Sequence, residues 1–257
     1  MQFTPWDFLA AGGAGLAAGA INAMAGGGTL VSFPTLTAIG VPALSANVTN
    51  TVSLCPGYVA GMYAQRDDLA NQGGMLRWLA VVAGLGGLGG SVLLEVTPGH
   101  AFRSLVPYLI LLSCGLLLSQ DRLRAWLTRA EHQACSGPVP TRRFGLGMAV
   151  FGSSVYGGFF GAGLGIMLLA FLGLFSAERL LRLNALKQAL SFVVNTVAAL
   201  CFAITGHVRW ELVPVMAVGA LIGGTIGGRS VRRVNATALR RVVVVAGIAI
   251  AISFWVG

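Results

Sequence analysis

Residues 19–29 read GAINAMAGGGT, and Pro34 follows shortly after them. Three consecutive glycines are poor helix interior, because each costs about 1 kcal/mol relative to alanine. The stretch therefore predicts a backbone break between two short helices, residues 8–24 and 27–41. The free N–H groups of the second helix, with the positive end of its dipole behind them, are expected to form an anion site. The alternative is that the glycines only allow neighbouring helices to pack closely.

The composition identifies the rest of the chain as a membrane protein. Of its 257 residues, 56% are hydrophobic and only 10% are charged, which is too few polar side chains to cover a soluble domain of this size. A membrane-crossing helix needs about 20 residues, so the first two segments of each half either cross while tilted or re-enter, giving about 8 to 10 membrane segments. The apolar segments are residues 8–24, 27–41, 45–65, 74–95, 102–119, 144–160, 164–176, 184–205, 209–228 and 238–256.

The chain nearly repeats itself at an offset of 137 residues. This offset places Asn47 on Asn184 and Gly28 on Gly165, and it also pairs two glycine-rich stretches later in each half. Paired hydrophobic halves that are interrupted at matching places are typical of secondary transporters, whose site lies at the repeat interface. We therefore predict an all-α polytopic membrane protein built of two repeats of about five hydrophobic segments each, with short helices broken at glycine.

The basic residues predict how the halves are oriented. The net charge is +9, and the stretches 120–143 and 229–241 each hold five arginines. Both are expected in the cytoplasm, which makes the halves inverted relative to one another and puts both termini outside. The halves are residues 1–119 and 144–257, and residues 120–143 are the basic cytoplasmic linker. Arginines in short inter-helix loops also argue against a nucleic-acid partner, which would need a basic face.

The third segment of each half carries polar side chains at helical spacing. Asn47 and Asn50 share one face in the first half, and Asn184, Lys187 and Gln188 share the matching face in the second. Polar residues are costly inside a membrane, so they line a pathway or join helices. Lys187 is the only lysine of the chain. It either attracts an anion or extends its amine to the cytoplasmic interface.

The sequence contains no motif for proton relay, cation or metal binding, or catalysis. All eight acidic residues lie at segment ends or in loops, so neither a buried proton relay nor a cation site is expected. Cysteines and histidines show no metal-ligand spacing, and the chain has no P-loop, zincin motif or nucleophile elbow. We therefore expect no enzyme activity and no catalytic residues, metal or cofactor.

In three of these stretches the chain resembles the sulfite exporter TauE/SafE family, also called the 4-toluene sulfonate uptake permease group. The stretches are residues 19–34, residues 46–50 and the degenerate second copy at residues 157–163. The resemblance spans essentially the whole chain, although Phe171 stands where the first copy has Pro34. It implies a multi-pass carrier in the bacterial inner membrane that usually exports small sulfur-containing anions, such as sulfite or sulfoacetate.

A small anion is expected to bind where the two glycine breaks meet. Backbone N–H groups and neutral side chains would hold it without preventing its release. A valine at Gly27 or Gly28 should abolish transport while leaving a folded, inserted protein, because the side chain would fill the space that the anion needs and does not tolerate a positive φ. The predicted substrate-binding residues are Asn22, Gly26, Gly27, Gly28, Thr29, Asn47, Asn50, Gly161, Gly163, Gly165, Asn184, Lys187, Gln188 and Asn195.

The sequence thus predicts a secondary transporter that exports a small sulfur-containing anion. One alternative is a carrier of another small solute or ion, and the other is a membrane scaffold subunit that transports nothing. The expected partners are the anion and the lipid bilayer, and a homodimer is left open.

Overall fold

A computed structural model describes residues 3–24, 26–69, 72–133, 142–176 and 178–230, together with Val244, Gly247, Ile248 and Ala251. Across these residues the chain is helical and contains no β-strand. The helices are α1 (Pro5–Met24), α2 (Thr29–Ala38), α3 (Ala43–Ala64), α4 (Gly73–Glu95), α5 (Gly99–Gln133), α6 (Arg142–Phe159), α7 (Leu164–Phe175), α8 (Leu180–Thr205) and α9 (Val213–Ser230), with a 3-10 turn at Arg66–Leu69.

The predicted all-helical membrane architecture is confirmed over this part of the chain. Helices α4 and α8 and the span Gly99–Gln120 of α5 are long and apolar enough to cross a membrane. By contrast, α2 has 10 residues and α7 has 12. At 1.5 Å per residue each extends through only about half of a hydrocarbon core of roughly 30 Å. The number of crossings and the inverted orientation of the halves stay predictions, and the predicted segment 238–256 lies largely outside the described residues.

The glycine-rich stretches 86–90 and 223–227 bring helices of opposite halves into close contact. Helix α4 packs against α6 and α8, and α9 packs against α1 and α3. Gly87 of α4 lies against Gly158 of α6, and Gly224 of α9 lies against Gly57 of α3, so backbone meets backbone. These stretches therefore serve helix packing through small residues. The fourth helix of each half is held by the first and third helices of the other.

An aromatic cluster joins the first short helix to the second break and to α5. Phe33 of α2 and Phe160, which follows α6, pack edge to face with ring centroids 5.4 Å apart. Phe102 of α5 joins them, 6.3 Å from the Phe160 ring. All three side chains are buried in the main hydrophobic core. This packing fixes the position of each broken backbone relative to α5.

The two breaks lie 135 residues apart, two fewer than the predicted repeat offset of 137. Gly26 and Gly161 both have positive φ, 88° and 79°, and each N–H bonds the carbonyl five residues earlier. Gly28 then precedes the first residue of α2, and Gly163 precedes the first residue of α7. By its position directly before the short helix, the counterpart of Gly28 is Gly163 and not the predicted Gly165, although Gly28 has a φ of −63° and Gly163 a φ of 82°. The physical reason is that α7 is two residues longer than α2, which restores the 137-residue offset only from α3 and α8 onward.

Candidate functional site

The two broken backbones touch one another. Gly26, between α1 and α2, has a φ of 88°, a left-handed conformation that favours glycine. A Cβ at Gly26 would lie 2.7 Å from the Cα of Gly165 in the first turn of α7, and a Cβ at Gly165 would meet the Cα of Gly26 at the same distance. Any side chain at either position would therefore separate the two breaks.

Asn22 bridges the first break. Its side-chain oxygen Oδ1 accepts a 2.7 Å hydrogen bond from the backbone N–H of Gly28. The expectation that this N–H is free is therefore wrong, because a side chain in the last turn of α1 folds across the break and caps the start of α2. Gly28 itself has a φ of −63°, so the expected positive φ at this position is also wrong.

Lys187 of α8 extends into the break rather than toward the interface. Its side chain is only 1% exposed, so the snorkelling alternative is wrong. The ammonium Nζ donates to the carbonyl oxygen of Asn22 at 3.1 Å and to Oδ1 of Asn184 at 3.0 Å. Its stem passes Gly165, where a Cβ would lie 3.4 Å from Cδ of the lysine. A cation is favourable here because the C-terminal carbonyls of α1 carry partial negative charge.

Asn184 and Asn47 each bind the end of a broken helix in the opposite half. The amide of Asn184 donates to the carbonyl of Ala23 in α1 at 3.2 Å, and the amide of Asn47 donates to the carbonyl of Phe159 in α6 at 2.9 Å. The last carbonyls of a helix have no partner within the helix, so these bonds satisfy groups that the breaks leave open. The two asparagines thereby tie the halves together at matching places.

Thr29 and Asn50 form a second, smaller polar group beside the first. Nδ2 of Asn50 donates to the hydroxyl oxygen of Thr29 at 3.3 Å. A Cβ at Gly161, in the second break, would lie 4.0 Å from the same hydroxyl. This group therefore faces the second break as Lys187 faces the first.

Three of the predicted residues contact neither Lys187 nor the Thr29–Asn50 group. A Cβ at Gly27 would meet Leu117 of α5 at 3.1 Å, and one at Gly163 would meet Leu116 of the same helix at 3.3 Å. These glycines line the contact with α5. Asn195 lies further along α8, where its amide donates to the carbonyl of Ser191 at 2.8 Å.

Several buried polar atoms near Lys187 have no hydrogen-bond partner among the described residues. They include Nδ2 of Asn22, both amide atoms of Gln188 and the hydroxyl of Ser191. The Gln188 amide lies against Gly61 of α3, in space that a side chain would fill. Leaving such a group unpaired costs about 1–3 kcal/mol, so each one identifies a position for a polar ligand or a water molecule.

Gln65 belongs to this polar group, although the sequence did not single it out. Its Oε1 accepts a 2.6 Å hydrogen bond from Nδ2 of Asn184, and the residue is only 3% exposed. Gln65 directly follows α3, and a glutamine at the end of a helix is usually a solvent-exposed residue without a specific role. The available signal is its spacing, since Gln65 continues the face of Gly57 and Gly61 at intervals of four residues.

Charged pairs lie outside the hydrogen-bonded group around Lys187. Pairs of charged side chains in the described part of the chain include Arg66–Asp67 and Arg182–Glu178, and the imidazole of His207 lies 3.8 Å from the carboxylate of Glu95. All of these side chains are near helix ends. Within the same residues, no group of three His, Cys, Asp or Glu side chains is arranged to hold a metal ion.

The chain combines helices that can cross a membrane with a buried polar group at two touching backbone breaks, as membrane transporters do. Comparison with known proteins supports this class. The family described as sulfite exporter TauE/SafE matches residues 11–254, and the chain belongs to that family.

The relatives of the chain are named as transporters. A probable membrane transporter protein of Haemophilus influenzae is 28% identical over 234 residues, which cover 90% of this chain and 88% of the relative. The probable membrane transporter protein YfcA of Escherichia coli K12 is 28% identical, with 89% and 82% covered. The probable membrane transporter protein ORF9 of Sinorhizobium is 26% identical, with 91% and 87% covered. No solved structure matches the chain.

Proposed function

We propose that this membrane transporter exports a small sulfur-containing anion, sulfite or an organosulfonate such as sulfoacetate, across the bacterial inner membrane. The family supports this substrate class. The observation that carries the proposal is the position of Lys187, whose buried ammonium lies at the contact of the two breaks beside unpaired donors.

An oxyanion suits this position chemically. The ammonium of Lys187 supplies positive charge. Hydrogen bonds between a cation and an oxyanion are stronger than neutral ones, so the lysine provides the attraction for the anion. The backbones of Gly26 and Gly165 are in contact, and such a narrow site favours a small substrate.

In this proposal, Oδ1 of Asn22 holds the position that an oxygen of the anion takes when the substrate binds. Its Oδ1 lies on the N–H of Gly28, at the positive end of the α2 dipole. An oxygen of the anion replaces Oδ1 there, and the displaced carboxamide turns its unpaired Nδ2 toward the anion. Binding at the site therefore changes the contact that joins α1 to α2, which links occupancy to the geometry of the break.

The membrane potential is sufficient to drive export. About 100 mV, inside negative, contributes roughly 2.3 kcal/mol per negative charge moved outward. The carboxylates that a coupling cation would need lie in loops and at segment ends. Neutral donors bind weakly enough to release the anion on the outer side. Uniport is the simplest mechanism consistent with these residues.

Flux measurements in proteoliposomes test the proposal. The full chain is reconstituted, and movement of sulfite, sulfate, thiosulfate, sulfoacetate and taurine is followed with and without an imposed potential. We expect sulfite or sulfoacetate to move faster than in empty liposomes, and faster still when the potential drives the anion. Zwitterionic taurine is the control for charge. Flux of taurine alone, or no flux of any sulfur anion, would overturn the proposed substrate class.

A further inference from the structure

Gln65 separates the buried polar group from the surface of the molecule. It is 3% exposed, whereas its neighbours Arg66 and Asp67 have highly exposed side chains. A cavity of about 200 Å³ lies on that exposed side, lined by Tyr63, Arg66, Asp67 and Arg229 among others. Gln65 is therefore the buried residue that links the hydrogen-bonded group around Lys187 to Arg66 of this arginine-lined cavity.

The contacts of Gln65 form a continuous polar connection to the first break. Its Oε1 accepts from Nδ2 of Asn184 at 2.6 Å, and Oδ1 of Asn184 accepts from Nζ of Lys187 at 3.0 Å. The lysine in turn donates to the carbonyl of Asn22. Side chains from three elements thus continue without an apolar interruption from the end of α3 to the break. An anion that follows them always has a donor beside it.

The side-chain amide of Gln65 also offers a donor, Nε2, to a passing anion. Its Nε2 is buried and has no partner among the described residues. An unpaired buried amide costs free energy, and an anion passing the end of α3 would offset that cost. The glutamine therefore has both properties of a selective gate: it closes the route through its Oε1 contact, and it recognises an anion through Nε2.

We propose that Gln65 admits small anions to Lys187 from the arginine-lined cavity, with the Gln65–Asn184 hydrogen bond as the closed state. The cavity is the first binding position, where Arg66 and Arg229 together outweigh the charge of Asp67 and leave one net positive charge that attracts the anion. This inference rests on the proposed function, because it gives the route to the same site. It adds Gln65 as a residue that controls access to the site and binds the anion on its way, while the arginines of the cavity set the preference for negative charge.

Thiol accessibility tests the gate independently of substrate flux. The four native cysteines are replaced by alanine, and the reporter Ala23→Cys is introduced. Ala23 is buried at the end of α1, and its carbonyl accepts from Asn184, so it lies just inside Gln65. The probes are the anionic reagent 2-sulfonatoethyl methanethiosulfonate and the neutral reagent methyl methanethiosulfonate, applied to the inserted protein.

Removing the gate is expected to expose the reporter. Adding Gln65→Ala should raise the rate of anionic labelling about tenfold, the factor that corresponds to losing one hydrogen bond. The matched control is Gln72→Ala, another buried glutamine, which donates only to the nearby carbonyl of Asp68. That control should leave the labelling rate within about twofold. If Gln65→Ala does not accumulate in the membrane, Gln65→Asn, whose amide falls short of Asn184, is expected to act in the same direction.

The arginines are tested by comparing the two reagents. The double variant of Arg66→Gln and Arg229→Gln should slow anionic labelling of the Gln65→Ala reporter and leave neutral labelling unchanged. Equal labelling rates with Gln65 and with alanine would overturn the gate, even if sulfite flux is observed. Faster labelling together with no sulfur-anion flux would instead keep the gate and overturn the proposed substrate.

Discussion

The ammonium nitrogen of Lys187 in α8 donates a 3.1 Å hydrogen bond to the carbonyl oxygen of Asn22 in α1, across 165 residues of sequence. The carbonyl belongs to the last turn before the glycine break, and the side chain of the same asparagine binds the N–H of Gly28 beyond it. Asn22 therefore joins the only lysine of the chain to both sides of the break. The following predictions test what this arrangement does.

Replacing Lys187 with glutamine should weaken apparent substrate affinity about tenfold, which is about 1.4 kcal/mol, because the charge that attracts the anion is lost. Lys187→Arg, which keeps the charge, is the matched control and should retain most of the affinity. Concentration-dependent flux in proteoliposomes measures both variants. Because Lys187 is only 1% exposed, we expect a weak dependence of wild-type affinity on ionic strength. Equal affinities for the glutamine variant and the wild type would remove the lysine from the site.

Two substitutions of Asn22 should separate capping from anion binding. Asn22→Ala removes the acceptor for the Gly28 N–H, which should cost about 1 kcal/mol of stability, and it also weakens affinity. Asn22→Asp keeps an acceptor there and adds a negative charge at the start of α2, so it should be more stable than the alanine variant. The same charge repels the substrate, so its affinity should be the lower of the two. Thermal unfolding in detergent measures stability, and concentration-dependent flux measures affinity. If the less stable of the two variants also had the lower affinity, Asn22 would not have separate roles in capping and in anion binding.

Alanine at Gly26 is expected to be far more damaging than alanine at Gly40. Both glycines have a φ near 90°, so each substitution pays the same backbone penalty of about 1–2 kcal/mol. At Gly40 the added Cβ meets nothing within 4 Å, whereas at Gly26 it meets the backbone of Gly165. Gly40→Ala should therefore transport with a modestly lowered Tm, and Gly26→Ala should lose flux and unfold at a much lower temperature. Similar Tm values for the two variants would show that the contact between the breaks contributes nothing.

Valine should act differently at Gly27 and Gly28. At Gly28 the added side chain meets the backbone of Ala18 in α1, which cannot move without displacing the helix. At Gly27 it meets the end of the flexible Leu117 side chain. We therefore expect Gly28→Val to lose folded protein and Gly27→Val to remain folded, as measured by the monodisperse fraction after extraction from the membrane. This revises the expectation that both variants would fold and fail only in transport. A folded Gly28→Val protein would contradict the packing at this position.

The sequence by itself determined the helices and where they break. Apolar length, glycine content and spacing act within a few turns of chain, so the segments up to residue 228 correspond to helices, and the break at Gly26 lies where the glycine run predicts it. The polar face of α8 was also readable, because residues three and four apart share one side of a helix. The family resemblance seen in the glycine-rich stretches agrees with the family match over residues 11–254.

Only the tertiary structure decided what those residues contact. From the sequence, an anion-binding role for Lys187 and extension of its amine to the cytoplasmic interface were equally supported. Its burial depends on a contact with the end of α1, which lies far away in the chain. The register of the second break depends on two extra residues in α7, which an ungapped offset does not detect. Gln65 became part of the site only because α8 places Asn184 opposite it. Helix formation is local, whereas the partner of a buried polar group is set by which helices the core packs together, and that choice involves the whole chain.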